Sequence, residues 1–166
     1  VGLYNDQTGQ DAAGDCKNCA VGKFNDQTAQ DAAGDCKNCV VGKYQNQAGQ
    51  SACINCAVGL YNDQVGQDAA GDCKECGNGK YNDQAAQTAE SACIDCGVGK
   101  FQDQTAQDAE ADCKVCAVGT YADQAAQAAC KNCGVGLYND QTAQDAEADC
   151  KDCACKNRNI GIPRTD

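Results

Sequence analysis

The four letters Cys-x-x-Cys recur eight times in this chain, beginning at Cys16, Cys36, Cys53, Cys73, Cys93, Cys113, Cys130 and Cys150. The intervals are 20, 17, 20, 20, 20, 17 and 20 residues, so one short unit is written eight times. Only 19 of the 166 residues are Leu, Ile, Val or Phe, and the formal charge is −11. A chain so poor in apolar surface cannot offset the entropy of ordering its backbone unless something else holds it. The 17 cysteines are what it has.

Other letters keep the same phase. All the aromatic residues, Tyr4, Phe24, Tyr44, Tyr61, Tyr81, Phe101, Tyr121 and Tyr138, fall at one place in successive units, five residues after the second cysteine of a pair where one precedes. A glycine stands two residues before each ring, and glutamines follow it at three and six residues, as Gln27 and Gln30 follow Phe24. The two short units lose three residues just ahead of a cysteine, which makes that segment the adaptable loop. The glycine suits a positive φ or a close backbone approach, and the ring is expected to lie over the cystine of its own unit. Val-Gly-Lys-Phe-Asn-Asp-Gln reads as a short strand ending in a turn at Asn-Asp, whereas Thr-Ala-Gln-Asp-Ala-Ala-Gly-Asp reads as a helical turn or a loop. The paired glutamines bond to their own or neighbouring backbone, form ladders in a stacked array, or are solvated spacers.

Three chemistries compete for the Cys-x-x-Cys pairs. Two pairs separated by 16 residues fit a four-thiolate zinc site, although the uniform interval and the absence of histidine are unlike the differentiated halves of a zinc ribbon. Redox catalysis needs one low-pKa thiol at a helix N-terminus, and eight equivalent copies on a polar chain supply no such context. Structural disulfides formed in an oxidising compartment are the reading the composition favours.

The segment Cys-Ala-Val-Gly-Lys-Phe-Asn-Asp-Gln-Thr-Ala-Gln-Asp-Ala-Ala-Gly-Asp-Cys, residues 19 to 36, resembles the cysteine-rich module of tumour necrosis factor receptors and of ephrin-receptor-like repeats. There a cysteine is followed by glycine at plus three and an aromatic at plus five. The resemblance, which covers residues 1 to 153, implies the pairs Cys19–Cys36, Cys39–Cys53, Cys56–Cys73, Cys76–Cys93, Cys96–Cys113, Cys116–Cys130 and Cys133–Cys150. It does not carry ligand binding with it, because the larger modules with interlocked disulfides are missing here. A loop of this size is stabilised by about 3 kcal/mol per bond in the chain-entropy model. The expected fold is a small disulfide-rich repeat protein, an elongated rod or superhelix of short-strand and irregular modules with little regular secondary structure. Contacts in it are expected to be mostly between nearest neighbours. The domain reading is eight tandem units over 1–153, the first lacking its opening cysteine, and a non-repeat tail over 154–166.

Carboxylates recur two residues after the ring at Asp6, Asp26, Asp63, Asp83, Asp103, Asp123 and Asp140, and five residues later at Asp11, Asp31, Asp68, Asp108 and Asp145. Calcium takes such oxygens, but no Asp-x-Asp-x-Asp-Gly loop is present; local charge balance with the lysines is the plainer reading, and no cofactor is expected. Thr8, Thr28, Thr105 and Thr142 share one position suited to an O-linked glycan. Without histidine or a phosphate loop the chain is read as non-enzymatic. No apolar run is long enough to span a bilayer, and Val1 opens no leader, so a processed mature form or a fragment is expected. The acidic balance argues against nucleic acid as partner.

Together these point to a secreted or cell-surface structural rod, a spacer or fibre subunit; the alternative is the repeat region of a receptor or adhesin that binds a protein partner. The module pairing leaves Cys16, Cys153 and Cys155 over, which suggests bonds between chains. Placing Val1 after Ala154 of another copy keeps the 20-residue period, so a head-to-tail filament through Cys16 and Cys153 or Cys155 is one reading. An excerpt from a longer array is the other.

Overall fold

The computed structural model describes residues 1–153. Cys155 and the rest of 154–166 lie outside them. Each unit is built on a minimal hairpin: in the second unit, Lys23–Phe24 pairs antiparallel with Lys37–Asn38, in the register Lys23 with Asn38 and Phe24 with Lys37. The second strand is therefore the x-x of Cys-x-x-Cys. Eight such two-stranded sheets follow one another among the described residues.

Each hairpin is entered through a tight turn. The Lys23 N–H donates to the Ala20 carbonyl at 3.1 Å, and Gly22 between them has φ +74°, the conformation a type II turn requires at that place. In the long units the segment before the closing cysteine makes one 3-10 turn, as at Ala33–Asp35, whose Asp35 carboxylate accepts the Ala32 N–H at 3.0 Å. The third and seventh units lack the residues for this turn and have none. The disulfides join Cys19–Cys36, Cys39–Cys53, Cys56–Cys73, Cys76–Cys93, Cys96–Cys113, Cys116–Cys130 and Cys133–Cys150, one per unit from the second to the eighth.

Units stack by exchanging backbone hydrogen bonds. The Gly22 N–H donates to the Gln45 carbonyl of the next unit at 2.7 Å, and the Asn25 N–H to the Gln50 carbonyl at 3.0 Å. The inter-unit backbone hydrogen bonds all join nearest neighbours, but side-chain and van der Waals contacts reach one unit further. A Cβ on Gly22 would collide with the carbonyl oxygen of Gly66, two units on, and Thr105 donates to the Glu75 carboxylate at 2.5 Å across the same step. Such small units can reach a second neighbour because a glycine without a side chain lets two backbones touch. What is buried is chiefly the cystines, with Cys19, Cys39, Cys56, Cys76 and Cys116 at 0% exposure, plus a polar row taken up below.

Candidate functional site

The feature this chain repeats most faithfully is the junction between units, and four positions of the repeat build it. The first is the ring. Tyr61 clusters with Cys76 and Cys93, the cystine of the following unit. Phe24 likewise lines a groove with Cys53, and Tyr4 one with Cys36, each belonging to the next unit. The expectation that a ring covers its own cystine is thus corrected, and strand geometry gives the reason. Phe24 and Lys37 are opposite partners and share a face, with the Lys37 ammonium 5.9 Å from the ring centre, whereas Cys36, one residue away, must point to the other face. Burial also falls short of the expectation: Tyr61 and Tyr121 are buried, Tyr4, Phe24, Tyr44, Tyr81 and Phe101 are half-buried, and Tyr138 is exposed at 43%.

The second position follows the ring. Asn25, Asn62, Asn82 and Asn139 are buried, and each does two things. Asn82 Oδ1 accepts the Gln84 N–H at 3.1 Å, closing an Asx turn, while its Nδ2 donates to the Leu60 carbonyl of the preceding unit at 3.1 Å. Asn25 reaches Leu3, Asn62 reaches Lys43 and Asn139 reaches Thr120 in the same way. Where glutamine replaces asparagine, the longer side chain turns inward: Gln45 donates to Ala52, and Gln102 to Asp112, both within their own units. The row of asparagines was legible only as a turn signal. The side chains of the glutamines singled out for ladders bond within units, as Gln67 Nε2 does to Gln64 Oε1 at 3.1 Å, while the backbone carbonyl of the second glutamine accepts from the preceding unit.

The third position lies five residues after the ring and holds Gly9, Ala29, Gly49, Gly66, Ala86, Ala106, Ala126 or Ala143, all with φ between +57° and +74°. From Gly49 onward its N–H reaches back to the opening cysteine of the previous unit, as Ala86 does to the Cys56 carbonyl at 2.9 Å. Its carbonyl fills the space that the fourth position, the glycine before the ring, leaves empty: a Cβ on Gly42, Gly59, Gly79 or Gly99 would strike the oxygen of Ala86, Ala106, Ala126 or Ala143.

Charge is balanced locally along the exposed side. Lys37 lies 2.7 Å from Asp26, Lys74 2.8 Å from Asp63, and Lys17, Lys114, Lys131 and Lys151 pair likewise with Asp6, Asp103, Asp123 and Asp140. The hydrogen bond from lysine holds each of these carboxyls below the usual aspartate range. Asp83 has Ile94 where the lysine would stand, and Lys80 pairs with Asp95 instead, at 2.6 Å. Asp11, Asp31, Asp68, Asp108 and Asp145 are exposed, as are Thr8, Thr28, Thr105 and Thr142. With both cysteines of every pair from Cys36 to Cys133 oxidised, the four-thiolate zinc reading loses its ligands. Cys16 and Cys153 are exposed thiols with no disulfide partner among the described residues.

A stack of single-cystine hairpins completed by their neighbours defines the chain as a tandem cysteine-rich repeat protein. Residues 27–73 and 104–150, together more than half of the chain, match the family described as tyrosine-protein kinase ephrin type A/B receptor-like, and the chain belongs to that family. Disulfide-rich repeats of this family point to an extracellular or cell-surface location. No curated protein matches the sequence. Among the described residues, no helix is long and apolar enough to cross a membrane.

Proposed function

We propose that the chain is a non-enzymatic structural rod outside the cell, a spacer or fibre subunit whose units extend head to tail through Cys16 of one copy and Cys153 or Cys155 of the next. The observation that supports this reading is the sameness of the junctions. The glycine-to-carbonyl bond recurs from Gly2 to Gly119 at 2.7–2.8 Å, so each unit ends in the surface the next one needs. Such a heterologous contact does not close on itself. Non-reducing electrophoresis with intact-mass analysis tests it: a ladder collapsing to one 17.2 kDa band on reduction is expected, and a single monomer band before reduction overturns it.

One observation favours a second reading, a surface that binds a protein partner. The residue before the turn glycine is an exposed valine at Val1, Val21, Val58, Val98, Val118 and Val135. Replacing Val58, Val98 and Val118 by serine leaves the ladder intact under the fibre reading and abolishes it if these valines mediate the association. The four repeated threonines are proposed as O-glycan positions, read out as added hexose mass on the native protein. No cofactor is needed for either role; a melting temperature unchanged by chelator supports that, and a fall would assign the acidic row to calcium.

A further inference from the structure

We infer that the two end faces of the stack are the two halves of one interface, and that the partner they fit is a second copy of this chain, set in a single register. The inference rests on the fibre reading and adds to it which atoms meet. Inside the stack, Phe24 lies against the next unit and, with Val40, Lys43, Ala52 and Cys53 of that unit, lines a groove of 140 Å³. The first unit's Leu3 and Cys16, the positions of Lys43 and Cys53, line with Val1 and with Thr28, Ala29 and Gln30 of the second unit an open groove of 200 Å³, which offers space for a ring. Tyr138 is the ring with no following cystine among the described residues, and it is 43% exposed against 7% for Tyr121.

The backbone groups match as well. Gly119 N–H reaches the Asn139 carbonyl at 2.7 Å and Ala122 N–H the Gln144 carbonyl at 3.0 Å, but the equivalent Gly136 and Asn139 N–H groups have no acceptor among the described residues. The carbonyls they would reach, by position, are those of Asn5 and Gln10, which accept no hydrogen bond among the described residues. In the other direction Ala126 donates to Cys96 and Ala143 to Cys116, whereas among the described residues Gly9 and Ala29 N–H have no acceptor and the carbonyls of Cys133 and Cys153 no donor. Asn5 Nδ2, unlike that of Asn25, Asn62, Asn82 and Asn139, reaches no carbonyl among the described residues, and by position the carbonyl that suits it is Leu137's. Shape agrees: Gly119 and Gly136 are the two turn glycines whose added Cβ would meet nothing, and the carbonyls of Gly9 and Ala29 are the ones that would fill those places.

The repeat lengths keep their phase across such a joint. The third and seventh units are short, and the joint sets the eighth, first and second units between one short unit and the next, preserving the interval of four. In this register Tyr138 of one copy covers a cystine formed by its own Cys153 and Cys16 of the next, with Cys155 outside it. The bond forms by exchange with a small-molecule disulfide: one sulfur–sulfur bond is made between copies, one is broken, and two small thiols leave.

The test mixes unlabelled and nitrogen-15-labelled chain with oxidised glutathione and maps linked peptides by mass. A mixed-isotope Cys16–Cys153 peptide is expected, unchanged in Cys155→Ser and in the control Gly14→Ala, and at least tenfold less abundant in Gly136→Ala and in Tyr138→Ala. Hydrogen exchange in the interior units, expected to equal that of the parent, shows that these variants fold. A Cys16–Cys155 peptide, or undiminished yield in Gly136→Ala and Tyr138→Ala, overturns the register while leaving the fibre reading standing. No mixed-isotope species at all overturns both.

Discussion

Tyr121 and Tyr138 occupy the same position in successive units, on hairpins of the same register, yet one is 7% exposed and the other 43%. What differs is the presence of a following unit. Tyr121 has the Cys133–Cys150 cystine after it, and among the described residues Tyr138 has none. A unit of this kind does not own its core: its ring and two of its N–H groups are buried by the next one, and its turn glycine is closed over by a carbonyl two units on. Stability therefore belongs to junctions, the behaviour of a one-dimensional stack, with the cystines limiting how far an isolated unit can open.

The largest expected effect compares two glycines. Gly79→Ala drives a Cβ into the Ala126 carbonyl at a φ of +79°, so overpacking and backbone strain add to about 3 kcal/mol or more. Gly136→Ala, with open space around it, incurs the strain alone, about 1 kcal/mol. Denaturant titration of the two variants checks the ratio. Next come the rings: Tyr61→Ala empties a packed site and is expected to lose about 3 kcal/mol, and Tyr138→Ala less than about 1 kcal/mol in the monomer. Equal losses at both positions would mean that each ring is buried by its own unit after all.

A smaller effect is expected at the asparagine row. Asn82→Ala leaves the Leu60 carbonyl and the Gln84 N–H without partners, at a cost of about 1–2 kcal/mol, and exchange should quicken at the junction of the fourth and fifth units specifically. Ala106→Gly runs the other way. Alanine there has φ +57°, so glycine relieves strain and should raise stability by about 1 kcal/mol.

The smallest effect is electrostatic. Asp6 and Asp63 are held below their ordinary pKa and their partners Lys17 and Lys74 above theirs, each chiefly by the hydrogen bond between them. A lowered carboxyl stabilises above its unfolded pKa and loses this as pH falls through the folded value; a raised ammonium stabilises below its unfolded pKa and loses this as pH rises through the folded one. Stability should be flat from about pH 5 to pH 10 and decline gently outside it, because the pairs are exposed. Thermal melts across that range in low and high salt check this.

The period, the invariant glycine and ring, and the turn at Asn-Asp were readable because each repeats in place. The cystine pairs came from the family resemblance, since spacing alone admitted a metal site. The ring's partner was not readable: a repeat shows what recurs but not which unit lies over which, and the answer came from strand alternation between Cys36 and Lys37 once their pairing with Phe24 was known. The positive-φ position carried a signal that went unused, glycine at Gly9, Gly49 and Gly66 where other units have alanine. Asn25 and its equivalents read only as turn residues, and stacking shows why four of them are buried.

The claim that each unit is completed by the next is tested most directly by residue-resolved amide hydrogen exchange on the monomeric Cys16→Ser chain. Gly119 and Gln102 N–H groups, bonded to Asn139 and Gln127 across junctions, should be strongly protected, and the equivalent Gly136 and Asn139 groups should exchange at close to the unprotected rate. Uniform protection of all four would contradict the account, because units that protect their own amides need no neighbour to be complete.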